Sequence, residues 1–237
     1  MALTPLKLIG HMLMEQPTLP AIPWPRGYVI ARNGVFAWAR REGLEALIPV
    51  ATPPVPIRGL YPVEPYVRLL YPPVDVWLVS EIFRQAYEAR SSEDNPLESL
   101  FYLSFDSQWG WQLTMPAQEQ QPARVAPCAD ALDRALYANT LIEIHSHHRM
   151  PAFFSGTDTA DEQGFRLYGV LGRLGGEACH GPEIRLRIGI YGHFWEIPAA
   201  SLLALPAGVT DRVVREQWYE RIPSLVGDSG EEGSHGA

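Results

Sequence analysis

The chain of 237 residues has few basic side chains and almost no cysteine. It carries 19 Lys and Arg against 27 Asp and Glu, a formal charge of −8, with no basic run. That excludes a large nucleic-acid footprint, which needs clustered cations to neutralise phosphates. Its two cysteines, Cys128 and Cys179, make neither a disulfide framework nor a zinc-knuckle spacing. They read as small buried thiols in a reducing compartment. No stretch approaches the ~20 apolar residues needed to span a bilayer, which speaks against a membrane protein. The opening MALTPLKLIGHMLMEQP has one lysine, with Pro5 and His11 interrupting its apolar residues. It makes a poor secretory leader, so a cytoplasmic location is expected. Abundant instead are proline, 22 residues, and apolar side chains, 46% of the chain. That supports one sizeable core, with room for a small second module.

The chain up to about residue 70 reads as strand and loop. In GYVIARNGVFAWARR, two β-prone runs flank Asn33-Gly34, a pair suited to a tight hairpin turn. Pro53, Pro54, Pro56, Pro62, Pro65, Pro72 and Pro73 then block helix and leave an extended connection, either a linker or a proline-rich edge packed on the main domain. From Asp75, a plausible N-cap, the period becomes helical, with Val76, Val79, Ile82, Phe83, Ala86 and Tyr87 on one face and an end near Arg90. The aromatic-rich segments at 98–105 and 109–115 read as strands joined near Asp106–Gln108, residues 116–127 as a polar loop, and 129–139 as a short helix. Segments 140–147, 165–172, 183–191 and 193–198 read as strands. In the third, Arg185 and Arg187 alternate with Ile184, Leu186, Ile188 and Ile190, as on a strand with one wet face. A helix at 211–222 closes the pattern ahead of a glycine-rich polar tail. The expectation is an α+β fold with a mostly antiparallel sheet.

Only seven histidines occur in the chain, yet LIEIHSHHRMPAFFSGTDTADE holds three of them. On a strand, His145 and His147 point to one side while Ser146 points away. Two parallel imidazoles are half of a tetrahedral metal site. Asp158, after a loop, supplies a carboxylate and leaves a fourth position for water, the arrangement of catalytic rather than structural zinc. Zinc is called for because water is a poor nucleophile at neutral pH unless a metal lowers its pKa to about 7. Plainer explanations exist for each residue. The histidines also fit a sheet that needs no metal, and Ser155-x-x-Asp158 matches a helix-capping pattern. His148 falls on the opposite strand face and reads as non-ligating. Glu143 shares a face with His145 and His147, so spacing alone admits it as a base or supporting carboxylate.

The run His145-x-His147, seven residues, then Ser155-x-x-Asp158 resembles the signature of the JAB/MPN metalloenzymes, the JAMM zinc proteases. That family includes isopeptidases acting on ubiquitin-like proteins, and its pattern has a glutamate after the first helix. Glu98 in NPLESLFYLSF stands in that place. The resemblance implies a JAB/MPN-like sheet flanked by helices, of the cytidine-deaminase-like type, over residues 71–210. By it, His145, His147 and Asp158 would bind Zn2+, Glu98 would act as general acid/base, and Ser155 would donate to the oxyanion. More narrowly, the segment and the β-rich N-terminal extension resemble the PRTRC system protein A family of bacterial plasmids. That implies a neighbouring ThiF-like activating-enzyme homologue and a ubiquitin-like partner or polypeptide substrate. The family's proline after the second histidine is replaced here by His148, and Ser99-Leu100-Phe101 follow Glu98 where small residues are usual. These departures leave the metal set intact and bear on the substrate groove.

Three parts are expected: a β-rich module with its proline-rich connection over residues 1–70, the metalloprotease-like domain over 71–210, and a C-terminal helix and tail over 211–237. Trp109 and Trp111 read either as a hairpin-stabilising pair or as a grip on a substrate tail. The rival functions are a non-catalytic scaffold that binds a partner and a metallohydrolase for small molecules.

Overall fold

A computed structural model describes residues 9–92, 95–128, 131–175 and 181–213. A first sheet holds β1 (Gly10–Leu13), β2 (Arg26–Ala31), β3 (Gly34–Arg41), β4 (Leu44–Ala51) and β5 (Tyr66–Leu69) in that order, antiparallel except for the parallel pair β1–β2. The β2–β3 turn lies one residue earlier than the sequence suggests. Ala31 pairs with Gly34, so Arg32 and Asn33 make the bend. Asn33 is thereby free to bind the proline-rich segment, donating to the Val63 carbonyl at 2.9 Å and accepting from the Val63 N–H at 3.0 Å. The N–H groups of Ile57 and Tyr61 also donate to Arg32 and Met14, so these prolines run along the sheet edge rather than as a free linker. Sequence reasoning missed the β3–β4 hairpin. Its turn needs Gly43, at φ 78°, where a Cβ would meet the Tyr71 ring at 2.3 Å.

Helix α1 (Val76–Glu88) follows. Asp75 is its N-cap residue, without a side-chain cap bond, and the buried stripe is Leu78, Val79, Ile82, Phe83 and Ala86. Val76 and Tyr87, expected inward, are exposed, and Leu78 takes their place. After the short pair β6 (Arg90–Ser92) and β7 (Asn95–Pro96) come β8 (Leu100–Asp106) and β9 (Gly110–Thr114). Residues 116–127, expected as a loop, form a hairpin of β10 (Gln118–Gln121) and β11 (Arg124–Pro127). Its residues are too polar to show a buried face, and its fixing bonds come from Gln side chains rather than from apolar packing.

Next are α2 (Ala131–Asn139), β12 (Ile142–Ser146), α3 (Gly156–Asp161), β13 (Phe165–Gly172), β14 (Glu183–Ile190), β15 (His193–Ile197) and β16 (Thr210–Asp211). The second sheet runs β15-β14-β13-β12-β8-β9, with β16 beside β14. Only β12–β13 and β14–β16 pair in parallel, so the fold is α+β with a mostly antiparallel sheet. The connection through α3 is what allows β12 and β13 to run the same way. The C-terminal helix expected at 211–222 falls almost wholly outside the described residues.

The two faces of this second sheet differ. One carries Phe101, Leu103, Ile142, Ile144, Leu167 and Leu186, in a single core with α1 and with Ala37, Ala39, Leu44, Ala46 and Ile48 of the first sheet. The opposite face carries Tyr102, Glu143, His145, Arg166, Tyr168 and Arg187, which neighbour one another across the strands. Arg187 was expected on a wet face. It is buried at 5% exposure, because α3 and the residues flanking it lie over it. Among the described residues, no helix is long and apolar enough to cross a membrane.

Candidate metal centre

The strand alternation does what the sequence implies: His145 and His147 share a face, and their Nε2 atoms are 3.2 Å apart. His145 sits in β12 between Leu100 of β8 and Val170 of β13. His147 lies one residue past the strand end, yet its N–H still donates to the Leu171 carbonyl at 2.8 Å, which keeps it in line. Asp158 comes from the first turn of α3. Its Oδ1 lies 3.4 Å from His145 Nε2 and its Oδ2 3.9 Å from His147 Nε2. Among the described residues these three form the one group of His, Cys, Asp and Glu side chains arranged to hold a metal ion.

The donor set is one that could hold a metal ion, and two of its three separations agree with tetrahedral zinc. A tetrahedral ion with nitrogen ligands at ~2.05 Å holds neighbouring donors about 3.3 Å apart. The 3.2 and 3.4 Å separations match that edge, while the 3.9 Å between His147 and Asp158 exceeds it. Protonation suits His147 and Asp158, whereas His145 must give up a proton that Asp158 helps it hold. Burial, helped by the charge on His145, pushes His147 down to about 4 against the pull of Asp158, so it offers a lone pair at neutral pH. Asp158 is pushed up by burial, but the His145 bond and charge and the Ser155 N–H outweigh this and hold its carboxyl well below the usual range. For His145, burial acts downward, and the bond and charge of Asp158 bring the net shift upward. A deprotonated imidazole and an ionised carboxylate are the forms that ligate.

Ser155 and Asp158 also make the capping box. Ser155 is the N-cap of α3; its Oγ accepts from the Asp158 N–H at 3.1 Å, and its own N–H donates to Asp158 Oδ2 at 2.6 Å. The carboxylate that closes the box is the one that faces the histidines. The Ser155 hydroxyl accepts in the box, so its proton stays available to a group in the cavity.

Glu98 is buried at 4% exposure. Among the described residues, its carboxylate has no hydrogen-bond partner. Burial is the main cause pushing it up to about 7; His145 opposes that shift and Asp158 adds to it. Sequence reasoning missed how it is held. Its N–H donates to Gln121 at 3.0 Å, and Gln120 Nε2 donates to its carbonyl at 2.9 Å and to Ser99 Oγ at 2.8 Å. Ser146, facing away from the histidines, exchanges bonds with Ser99 at 2.9 and 3.0 Å. The hairpin and the back of β12 therefore fix Glu98 beside His145. Glu143 is engaged differently: Arg166 lies 3.5 Å from its Oε2, with the guanidinium stacked 3.5 Å over the Tyr137 ring.

These groups open onto a cavity of about 550 Å3, whose farther wall is Tyr102, Tyr137 and successive residues of β11. Phe153 packs its ring 4.6 Å from His147. Cys128 lines the same cavity, half-buried rather than buried as expected; Cys179 lies outside the described residues. His148 turns away, to the Tyr87 carbonyl at 3.2 Å, with φ 42°. Proline, fixed near φ −65°, does not reach that angle, so the missing proline follows from this bend. The tryptophans separate: Trp111 is buried and bonds the Pro72 carbonyl, whereas Trp109 is 72% exposed in the turn. No known family model matches this chain, and no curated protein matches it either.

Proposed function

We propose that the protein is a zinc-dependent hydrolase of peptide or isopeptide bonds, with a polypeptide substrate of ubiquitin-like type. The observation that carries this reading is the convergence of His145, His147 and Asp158, with ligand atoms within 4.8 Å of one another, beside Glu98, a buried carboxylate with no hydrogen-bond partner among the described residues. The resemblance to the JAMM proteases supports it, since that family uses these residue types in this order. Zinc, when held by His145, His147 and Asp158, supplies a water acidic enough to attack at neutral pH and a Lewis acid for the carbonyl.

Glu98 takes and returns the proton. A carboxyl pushed up to about 7 sits near the operating pH, where a general base and acid works in both directions. Glu143 is less suited, because Arg166 already engages it. Ser155 Oγ, held at the N-cap, donates its proton to the developing oxyanion. Extended peptides bind by adding to strand edges. The wall formed by successive residues of β11 offers such an edge along the cavity. A cytoplasmic setting with a ThiF-like activating enzyme nearby completes the reading.

The test is zinc per chain by elemental mass spectrometry on the parent, Asp158→Ala and Glu98→Gln, with a peptide mixture scanned for new termini. About one zinc in the parent and in Glu98→Gln, loss in Asp158→Ala, and cleavage by the parent alone is the expected result. A parent free of zinc after reconstitution refutes the hydrolase and leaves a partner-binding domain.

A further inference from the structure

The metal-ligating helix has an unusual attachment. α3 is six residues long and none of its residues is buried. A helix this short does not persist without tertiary support. Among the described residues, α3 and its C-cap make hydrogen bonds and ion pairs to the sheet and its histidines at two points. One is Asp158 at the histidines. The other is Arg187, reaching up from β14. Arg187 Nε and Nη2 donate to Glu162 Oε2 at 2.8 and 2.6 Å, and Nη1 donates to Thr159 Oγ1 at 3.3 Å. Glu162 is the C-cap residue of α3. The central carbon of the guanidinium lies over the rings of Phe154 and Phe194, 3.9 and 4.0 Å from their centroids. Arg187 and Glu162 are both buried, at 5% and 4% exposure.

We infer that Arg187 is a positioning residue for the metal centre: by gripping Thr159 and Glu162 it sets the height and rotation of α3, and so places the Asp158 carboxylate and the Ser155 hydroxyl over the two histidines. This rests on the metal reading above. The physical case is one of rigidity. The histidines stand on a sheet fixed by backbone bonds on both sides, whereas Asp158 stands on a helix with no apolar anchor. A planar fork bonded to two residues one turn apart, and packed against two aromatic rings, restrains tilt as well as distance. A lysine, with one point of attachment, does not. The next arginine on the same face, Arg185, bonds Glu196 of β15 instead and makes no hydrogen bond to α3, so it provides an internal control.

The experiment compares the parent with Arg187→Met/Glu162→Gln, which removes both charges and leaves neither uncompensated, with Arg187→Lys, and with Arg185→Met. Each full-length chain is titrated with Co2+ and with Zn2+ against a chelator, and hydrogen exchange is followed on the metal-free form. The double variant should bind both metals about 10–100-fold more weakly. Its Co2+ d–d bands should weaken and shift from those of the parent, and amides of 155–162 should exchange faster while those of β13 and β14 stay protected. Arg187→Lys should fall between, and Arg185→Met should match the parent. Unchanged exchange over 155–162 in a folded double variant overturns the inference, as does an effect of equal size in Arg185→Met. A parent that binds neither metal refutes the hydrolase reading instead, and the exchange comparison still decides whether Arg187 holds the helix.

Discussion

Replacing Glu98 by glutamine should stabilise the metal-free protein, and by more at high pH than at low. The folded carboxyl titrates near 7, against an ordinary value near 4.5, with burial as the chief cause. Its folded pKa is therefore the higher one. Below about pH 4 the carboxyl is protonated in both states and no penalty exists. As pH rises from 4.5 to 7 the unfolded chain releases the proton that the folded chain keeps, so stability falls, and above 7 the whole penalty is present. A shift of this size corresponds to about 3 kcal/mol. Access of cavity water to the carboxylate reduces that, and at pH 5 part of the penalty is already present. Between pH 5 and pH 8 the stability difference between Glu98→Gln and the parent should therefore grow by about 1–2 kcal/mol. Urea unfolding in EDTA at the two pH values measures it, and most other titrations cancel in the difference. In melting temperature it amounts to about 2–4 °C for each kcal/mol in a chain of this size. A stability difference that is the same at both pH values would refute the idea that Glu98 is a desolvated, unpartnered carboxylate. The same isostere should abolish cleavage while zinc stays bound, a trade of function for stability common at active sites.

Three further outcomes follow from the geometry. His148→Ala should retain about one zinc per chain, because the imidazole faces Tyr87, whereas His148→Pro should fail to reach the native fold at φ 42°; metal analysis and circular dichroism check the pair. Gly172→Ala places a Cβ 2.2 Å from the Ala152 nitrogen and 2.4 Å from the Pro151 carbonyl carbon. Having to displace backbone beside Phe153, it should lose on the order of 2–4 kcal/mol in urea unfolding; a loss under about 1 kcal/mol counts against this packing. Glu183 holds the Ala152 N–H at 3.2 Å, Arg173 at 2.7 Å and Arg212 at 3.2 Å, so Glu183→Ala should remove about 1–2 kcal/mol at pH 7. Burial raises that carboxyl, but Ala152 and the two arginines bring it net below its ordinary value. Its stabilisation is thus present above about pH 4.5 and lost as pH falls further, and the difference between parent and Glu183→Ala should shrink in acid.

The strands of the second sheet were legible because β8 and β9 are rich in aromatics and because in β14 isoleucine and leucine alternate with arginine. β13 begins and ends at the residues the pattern names. What was illegible shares one physical cause, replacement of apolar packing by side-chain hydrogen bonds. The β10–β11 hairpin is built from glutamines that bond the backbone around Glu98, and a window of Gln, Glu, Pro and Arg carries no periodic signal. Arg187 alternates with isoleucines as a solvated residue would. Nothing local to β14 reveals that Glu162, 25 positions earlier, covers it. The stripe on α1 was misplaced by about one residue at each end, since Val76 and Tyr87 satisfy the helical period equally well and only the position of the sheets selects Leu78 over them.

The two explanations open for Ser155-x-x-Asp158 were treated as rivals by the sequence, and the structure removes the rivalry. A carboxylate has two oxygens with separate directions. Oδ2 accepts the Ser155 N–H and closes the capping box, which fixes the side-chain rotamer. Oδ1 is then turned toward His145. A helix start is thus a means of orienting a carboxylate whose helix has no buried residue to hold it. The same economy recurs at Ser146, whose outward side chain bonds Ser99 and locks the backbone next to Glu98. Residues that pattern analysis assigns to local structure set the positions of the groups that carry the chemistry. That is why the spacing of the whole segment was more informative than any residue within it.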